Sequence, residues 1–178
     1  MTDASDDLVN DHLDELPALR GHAWVFGDHI AADVILPPAH HDRSPSEAGA
    51  FVMAGVDPTF ARAIEAGDFI VAGLEFATGT ARTITAQAVY TAGIAAVIAR
   101  SFGRTFLQAA TNIGLPALAI EETGAIKPGD RLRVDIESRK IANLSSGDRY
   151  IIRNLTEESV EVLRAGGLSA YTRHQRER

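Results

Sequence analysis

Cysteine is absent from the 178 residues. The chain can therefore build no disulfide framework, hold no iron–sulfur cluster through its own thiolates and offer no thiol nucleophile. Any cluster chemistry it serves must be carried by another chain. Cationic excess is missing too: 17 Lys and Arg stand against 24 Asp and Glu, a formal charge of −7. That balance argues against a general affinity for nucleic acid or anionic lipid, since both reward a basic surface. No apolar run approaches the roughly 20 residues that cross a bilayer. The first residues, Met-Thr-Asp-Ala-Ser-Asp-Asp, are the opposite of a basic signal-peptide start. A soluble cytoplasmic protein without nucleic-acid or membrane partners is expected. Internal repeats of about 20–50 residues and low-complexity tracts are lacking, which removes solenoids and propellers.

What is present describes a globular α/β domain. Apolar residues make up 46% and charged residues 23%, enough to bury a core in one domain. Three stretches are distinguished: an acidic N-terminal arm (1–19), a folded domain (20–168) and a basic C-terminal tail (169–178). Before Arg20 there are six acids and no Lys or Arg, while the tail carries Arg173, His174, Arg176 and Arg178. Both ends read as solvated, or one of them as a docking arm. The spacing predicts a strand at 22–26, a second apolar stretch at 34–36, a long loop over 39–55 and a short helix after Asp57-Pro58. Buried strands follow at 68–73, 95–99 and 115–120, alternating with helices from about 82 and from a Ser101 N-cap, with Phe102, Thr105, Phe106 and Ala109 on one face. Strand, helix and strand in that order make βαβ units with parallel strands. Leu132, Val134 and Ile136 alternate with charged residues, a pattern for a half-exposed antiparallel strand. Thr156 caps a last helix ended by Gly166-Gly167. The fold class is α/β: a single domain with mixed parallel and antiparallel sheet layers and flanking helices.

The turn from Gly73 to Arg82 carries the most chemistry. It ends a buried strand, bends at Gly79 and brings Thr78, Thr80, Thr83 and Arg82 to the start of a helix. Free N–H groups and the helix dipole favour an anion there, and a guanidinium can grip a carboxylate through two bonds. Ordinary capping would use the same residue types, so from the residues alone both readings stand. A P-loop is excluded because no Gly-Lys-Ser/Thr follows, and a dinucleotide fingerprint because Gly73 and Gly79 have the wrong spacing.

Four collinear stretches resemble the isopropylmalate dehydratase small-subunit family, the swivel domain of the aconitase superfamily. They are Gly-Asp-His-Ile-Ala-Ala-Asp-Val-Ile-Leu-Pro at 27–37, Gly-Asp-Phe-Ile-Val-Ala-Gly at 67–73, Gly-Thr-Ala-Arg at 79–82, and Ser-Phe-Gly-Arg-Thr-Phe with Asn-Ile-Gly-Leu-Pro at 101–106 and 112–116. The resemblance implies a swivel-type fold and the small subunit of a two-chain hydro-lyase in leucine biosynthesis. Such an enzyme isomerises a hydroxy di- or tricarboxylic acid by dehydration and rehydration. It implies a large-subunit partner bearing the iron–sulfur cluster and no cofactor or metal bound by this chain; whether the isolated chain is a monomer or a homo-oligomer stays open. By position in the motif, Thr80 is the implied catalytic base. Arg82, with Gly79 and Ala81, is the implied substrate-binding element.

The motif departs from the family's Gly-Ser-Ser-Arg-Glu-His. The second hydroxyl is lost at Ala81, and Thr83 and Ile84 replace the acid and its polar neighbour. Glu75 and Ala77 stand where the family prefers Asn and Gly, and Ala32 replaces a threonine. Three outcomes are open: a catalytic hydroxyl with altered substrate, an impaired subunit, or a non-catalytic paralogue acting as a binding or assembly module. Substrate choice in the family is attributed to the loop after Pro37, where Arg43 is the lone cation and the implied contact for a distal carboxylate. His40-His41-Asp42 make a poor metal set. His29 reads as a solvent-facing turn residue or an acid–base group. Asp28 and Asp33 either shape the turn or line the cleft, and Arg104 reaches an anion or solvent.

Overall fold

The computed structural model describes residues 16–80 and 82–177. Most of the acidic arm, and Ala81, lie outside the described residues. One seven-stranded sheet has the order β4-β3-β2-β1-β5-β6-β7. The strands are β1 (Leu19–Val25), β2 (Phe69–Val71), β3 (Ala96–Ala99), β4 (Ala117–Ala119), β5 (Arg131–Asp135), β6 (Lys140–Asn143) and β7 (Arg149–Ile151). β1 runs parallel to β2, which pairs Ala23 with Phe69 and Val25 with Val71, and antiparallel to β5, which pairs Leu19 with Val134 and Gly21 with Leu132. It is the seam between a parallel half and an antiparallel half.

Burial explains the division. Every residue of β2 and β3 is buried, as expected for parallel strands covered on both faces. Successive residues serve opposite cores: Ile70, Val97 and Ala99 face one apolar cluster, whereas Phe69, Val71, Ala96 and Ile98 face the other. Helices α4 (Thr83–Thr91) and α5 (Arg104–Ile113) contribute Ala86, Ala88, Val89, Phe106 and Ala110 to the first cluster. In β5, Leu132 and Val134 are buried and Arg131 exposed, the expected alternation. These strands and α6 (Glu157–Arg164) close the second cluster through Val134, Ile141, Ile152 and Val160. The sheet curls until its ends meet: the Arg153 N–H donates to the Ala119 carbonyl at 2.8 Å, and the Asn154 side chain pairs with the Ala119 N–H and the Ala117 carbonyl at 2.8 and 2.9 Å. An amide side chain thus satisfies the outer edge of β4.

Three sequence expectations are corrected. Residues 39–55 are not an irregular loop: 3₁₀ turns at 38–40 and 49–51 flank α2 (Pro45–Ala48). A capping box fixes α2, with the Ser44 hydroxyl accepting from the Glu47 N–H and the Glu47 carboxylate accepting from the Ser44 N–H. The apolar positions Ala48, Val52 and Met53 are buried, and that burial folds the segment against the domain. Secondly, Ser101 does not cap α5. Its cap is Gly103, and the Ser101 hydroxyl instead accepts from the Glu75 N–H at 2.8 Å. Thirdly, Thr105 is exposed, and α5 buries Phe106, Ala109 and Ala110. The apolar stretch after Ile30 forms a one-turn helix, α1 (Ala32–Ile35), and α3 (Phe60–Ala63) follows Pro58. Thr156 caps α6 as expected by accepting from the Ser159 N–H. Beyond Gly167 the chain continues as α7 (Leu168–Arg176). No helix among the described residues is long and apolar enough to cross a membrane.

Candidate functional site

Three crossover loops meet at the carboxyl ends of the parallel strands, where open α/β sheets place ligands. They are 26–31 after β1, 72–82 after β2 and 100–103 after β3. Backbone bonds lace them together. The His29 N–H donates to the Leu74 carbonyl at 2.7 Å, Ala77 N–H to Ile30 at 2.7 Å and Ala32 N–H to Thr78 at 2.9 Å. From the other side, Phe76 N–H donates to the Ser101 carbonyl at 2.9 Å and Gly103 N–H to Phe76 at 2.7 Å. The middle loop is held between its two neighbours, with isolated bridges from Thr78 to Ala31 and from Phe76 to Phe102.

Side chains complete the lacing. An Asp28 carboxylate oxygen accepts from the Leu74 N–H at 2.7 Å, so Asp28 shapes the turn rather than lining the cleft. Gly73 permits this: a Cβ there would lie 1.7 Å from that oxygen. Gly103 has the same function on the far side, since its Cβ would stand 2.2 Å from the Ala77 carbonyl. His29, Glu75 and Ala77 take left-handed φ values of 56°, 53° and 62°. Two of these, Glu75 and Ala77, are departures from the resembled motif. Replacing Asn and Gly at left-handed positions costs about 1 kcal/mol each, a strain the surrounding bonds hold in place. His29 is exposed, and its Nδ1 lies 3.3 Å from the Glu75 carboxylate.

The loop presents Gly79, Thr80 and Arg82 at the start of α4, all exposed. Arg82 is the N-cap residue, with extended backbone and no capping bond from its side chain. The guanidinium is therefore not consumed in holding the helix. Of the three expected hydroxyls only Thr83 lies in the first turn. Thr78 pairs with Ala31 and Thr80 precedes the cap.

Arg43 lies on a separate structure. Its Nε donates to His40 Nδ1 at 3.0 Å, and its Cζ sits 4.7 Å from the centroid of Phe51. His40 stacks on Phe51 at 3.7 Å with 8° between the planes. Thr91, at the C-terminal end of α4, donates to the Pro45 carbonyl at 2.6 Å. The segment carrying Arg43 is thus fastened to the end of α4 opposite Arg82. Sequence reasoning missed the His40–Phe51 pair because ten residues of unrecognised helical turns separate the rings. Asp33 is exposed on α1, 3.9 Å from His41 Nε2, which bonds the Leu36 carbonyl at 2.9 Å. Arg104 is exposed in the first turn of α5. Among the described residues no group of three or more His, Cys, Asp or Glu could hold a metal ion. Chemically, the rim can bind an anion at the start of α4 and offer a hydroxyl beside it.

Comparison with known proteins bears on this rim directly. The model of the aconitase C-terminal domain matches residues 56–123, which span β2, α4, β3, α5 and β4. The 3-isopropylmalate dehydratase small subunit 1 of Archaeoglobus fulgidus is 40% identical over 89% of this chain and 99% of its own length. The isopropylmalate/citramalate isomerase small subunit of Methanocaldococcus jannaschii is 37% identical over 86% of this chain and 92% of its own. Among solved structures, a 3-isopropylmalate dehydratase from M. jannaschii superposes with a TM-score of 0.85 at 33% identity, covering 90% of this chain and 96% of that one.

Proposed function

Because the chain belongs to the family of 3-isopropylmalate dehydratase small subunits, we propose that it works as one half of a two-chain, aconitase-type hydro-lyase. The reaction interconverts 2- and 3-hydroxy acids of the isopropylmalate class by dehydration and rehydration. The partner is a large subunit, and the iron–sulfur cluster of such an enzyme, a Lewis acid for the substrate's hydroxyl and carboxylate, belongs to that partner. This chain, without cysteine, does not fit the cluster. The remaining steps concern its own residues.

Thr80 Oγ1 takes the proton from the carbon adjacent to the departing hydroxyl, and Arg82 holds a substrate carboxylate through its fork of donors. Gly79 and Ala81 let the substrate approach the turn closely. The accepting form is the Thr80 alkoxide, which becomes the alcohol as it takes the proton and gives it back on rehydration; that alkoxide is accessible only where water is excluded and fixed positive charge stabilises it. Arg82 and the N-terminal amides of α4 supply that charge. Both Thr80 and Arg82 are exposed in the isolated chain, so the closed, dry site has to be completed by the large subunit. Arg43 contacts the end of the acid remote from Arg82 and selects among substrates. The swivel is taken as 20–168, with the acidic arm (1–19) before it and the basic tail (169–178) after it; Leu19 already pairs with Val134 in β1, and the tail is folded as α7 through Arg176. The organisation does not favour a purely structural paralogue, because the relatives that match nearly end to end are named as enzyme subunits.

The observation that carries this reading is that the 74–78 segment, bonded on both sides, leads directly into Thr80 and Arg82, which are exposed at the start of α4. The test is anaerobic reconstitution with a cluster-bearing large subunit and an assay of isopropylmalate isomerisation. Thr80→Ser is expected to retain turnover and Thr80→Ala to lose at least about 100-fold in kcat, the usual scale for a proton-transfer group. Unchanged turnover in Thr80→Ala would remove the base. An unchanged kcat/KM in Arg43→Ala would remove the distal contact.

A further inference from the structure

We propose that His40 is the positioning residue for Arg43: its neutral imidazole and the ring of Phe51 clamp the guanidinium in the orientation that meets the substrate. The inference rests on the reading of Arg43 as a substrate contact and adds what holds it in place.

The clamp is built from three contacts. His40 lies flat on Phe51 at 3.7 Å, Arg43 Cζ lies 4.7 Å from the same ring centroid, and Arg43 Nε is 3.0 Å from His40 Nδ1. Opposite faces of one ring would hold the two groups about 7 Å apart, twice a stacking distance. A 3.0 Å bond therefore puts imidazole and guanidinium side by side on one face. The backbone beneath is fixed: His40 N–H donates to the Pro37 carbonyl at 2.9 Å and Arg43 N–H to the His40 carbonyl at 3.3 Å. The Ser44–Glu47 capping box then anchors the following residues. Arginine carries much rotamer freedom, and a group already ordered loses less of it on binding.

The Nε–H is spent on His40, which leaves the two terminal NH₂ groups to form an end-on pair with a carboxylate. The bond also sets the state of the imidazole. Nδ1 must accept, so His40 is neutral with its proton on Nε2.

Other charges nearby do not substitute for this bond. Asp42 neighbours it in sequence. The Glu47 carboxylate is committed to Ser44, whose hydroxyl and N–H, with a smaller pull from Arg43, hold it below the usual carboxylate range. Toward α1 stand Asp33 and His41, the latter bound to the Leu36 carbonyl. α4, against which this segment packs, has no charged side chain from Thr83 to Thr91.

The two-chain enzyme tests the clamp through KM. His40→Phe keeps a flat ring on Phe51 and removes the acceptor. Its KM should rise about five- to tenfold, with kcat changed less than about twofold. His40→Gln restores an acceptor on the same backbone, and its KM should match that of the unaltered enzyme. In the full chain alone, the Arg43 Nε–H proton resonance should exchange slowly, be lost in His40→Phe and persist in His40→Gln. If Arg43→Ala raises KM but His40→Phe does not, or if His40→Gln raises it as much as His40→Phe, the positioning role is overturned while the substrate contact stands. If Arg43→Ala leaves KM unchanged, the contact fails and this inference with it.

Discussion

Asp68→Asn isolates the bond set that joins β1 to β2 beneath the functional loops. Asp68 is only 3% exposed. One carboxylate oxygen accepts from the His22 N–H at 3.0 Å; the other accepts from the Trp24 indole and the Glu65 N–H, both at 2.9 Å. Burial alone would push this carboxyl up; the donations from Glu65, Trp24 and His22, with the charge of His22, outweigh it and hold the group below the usual range. An amide cannot replace it, because one of its two ends must be NH₂ and face a donor. In the better orientation two bonds survive but change from charged to neutral, a loss of about 0.5–1 kcal/mol each. The third becomes a donor against a donor and costs about 1–3 kcal/mol. We expect a destabilisation of about 3 kcal/mol, which for a chain of this size lowers Tm by about 6–12 °C. Thermal and urea unfolding of the full chain, followed by circular dichroism near pH 7, measures it. The pH dependence supplies the sign. A carboxyl depressed in the folded state contributes stability that is complete above its unfolded value of about 3.9 and is lost as pH falls through the lower folded value. The gap between the two proteins should therefore be full at neutral pH and close in acid. A loss under about 0.5 kcal/mol at pH 7, or a gap that widens in acid, would refute the reasoning.

Three further outcomes are expected. Gly103→Ala sets a methyl 2.2 Å from the Ala77 carbonyl, so the 72–82 loop must shift. Activity of the two-chain enzyme should fall at least about tenfold, while Gly129→Ala, whose Cβ would meet nothing within 4 Å but whose φ of 83° is left-handed, should cost about 1 kcal/mol of stability and leave activity unchanged. Glu137 accepts from Arg164 Nε and Nη2 at 2.8 and 2.5 Å, and chiefly these bonds hold its carboxyl low. Glu137→Gln should cost about 1 kcal/mol at pH 7 by denaturant titration, less any solvent screening. That difference disappears as pH falls below the ordinary glutamate range of about 4.3. Asn154→Ala strips the edge of β4 of both partners and should cost about 1–3 kcal/mol in the same measurement.

The central sheet was legible because its pattern is local. Continuous apolar runs at β2 and β3, and alternation in β5, arise wherever one or two faces of a strand are buried. Gly114, left-handed at the end of α5 with φ 79°, and Thr156 at the start of α6 are caps whose chemistry lies within a few residues. Residues 39–55 were not legible. Their short turns lack helical periodicity and owe their shape to burial of Ala48, Val52 and Met53 against the domain. Ser101 misled for a related reason: a hydroxyl two residues before a helix resembles a cap, yet its partner, the Glu75 N–H, lies 26 residues away.

By itself the sequence determined the α/β class, the order of most elements, the inability of this chain to ligate a cluster by thiolates and the position of the Gly-Thr-Ala-Arg turn. Each follows from residue type and near-neighbour spacing. Only the tertiary structure decided how that turn is held. It showed that Asp28 is a bracket, that Ser101 and Gly103 brace the loop from the far side, and that His40 and Arg43 lie side by side on the ring of Phe51. Those relations join residues brought together by the pairing of β1, β2 and β3 and by burial of the segment after α1. Contacts across dozens of residues leave no periodic trace in a chain.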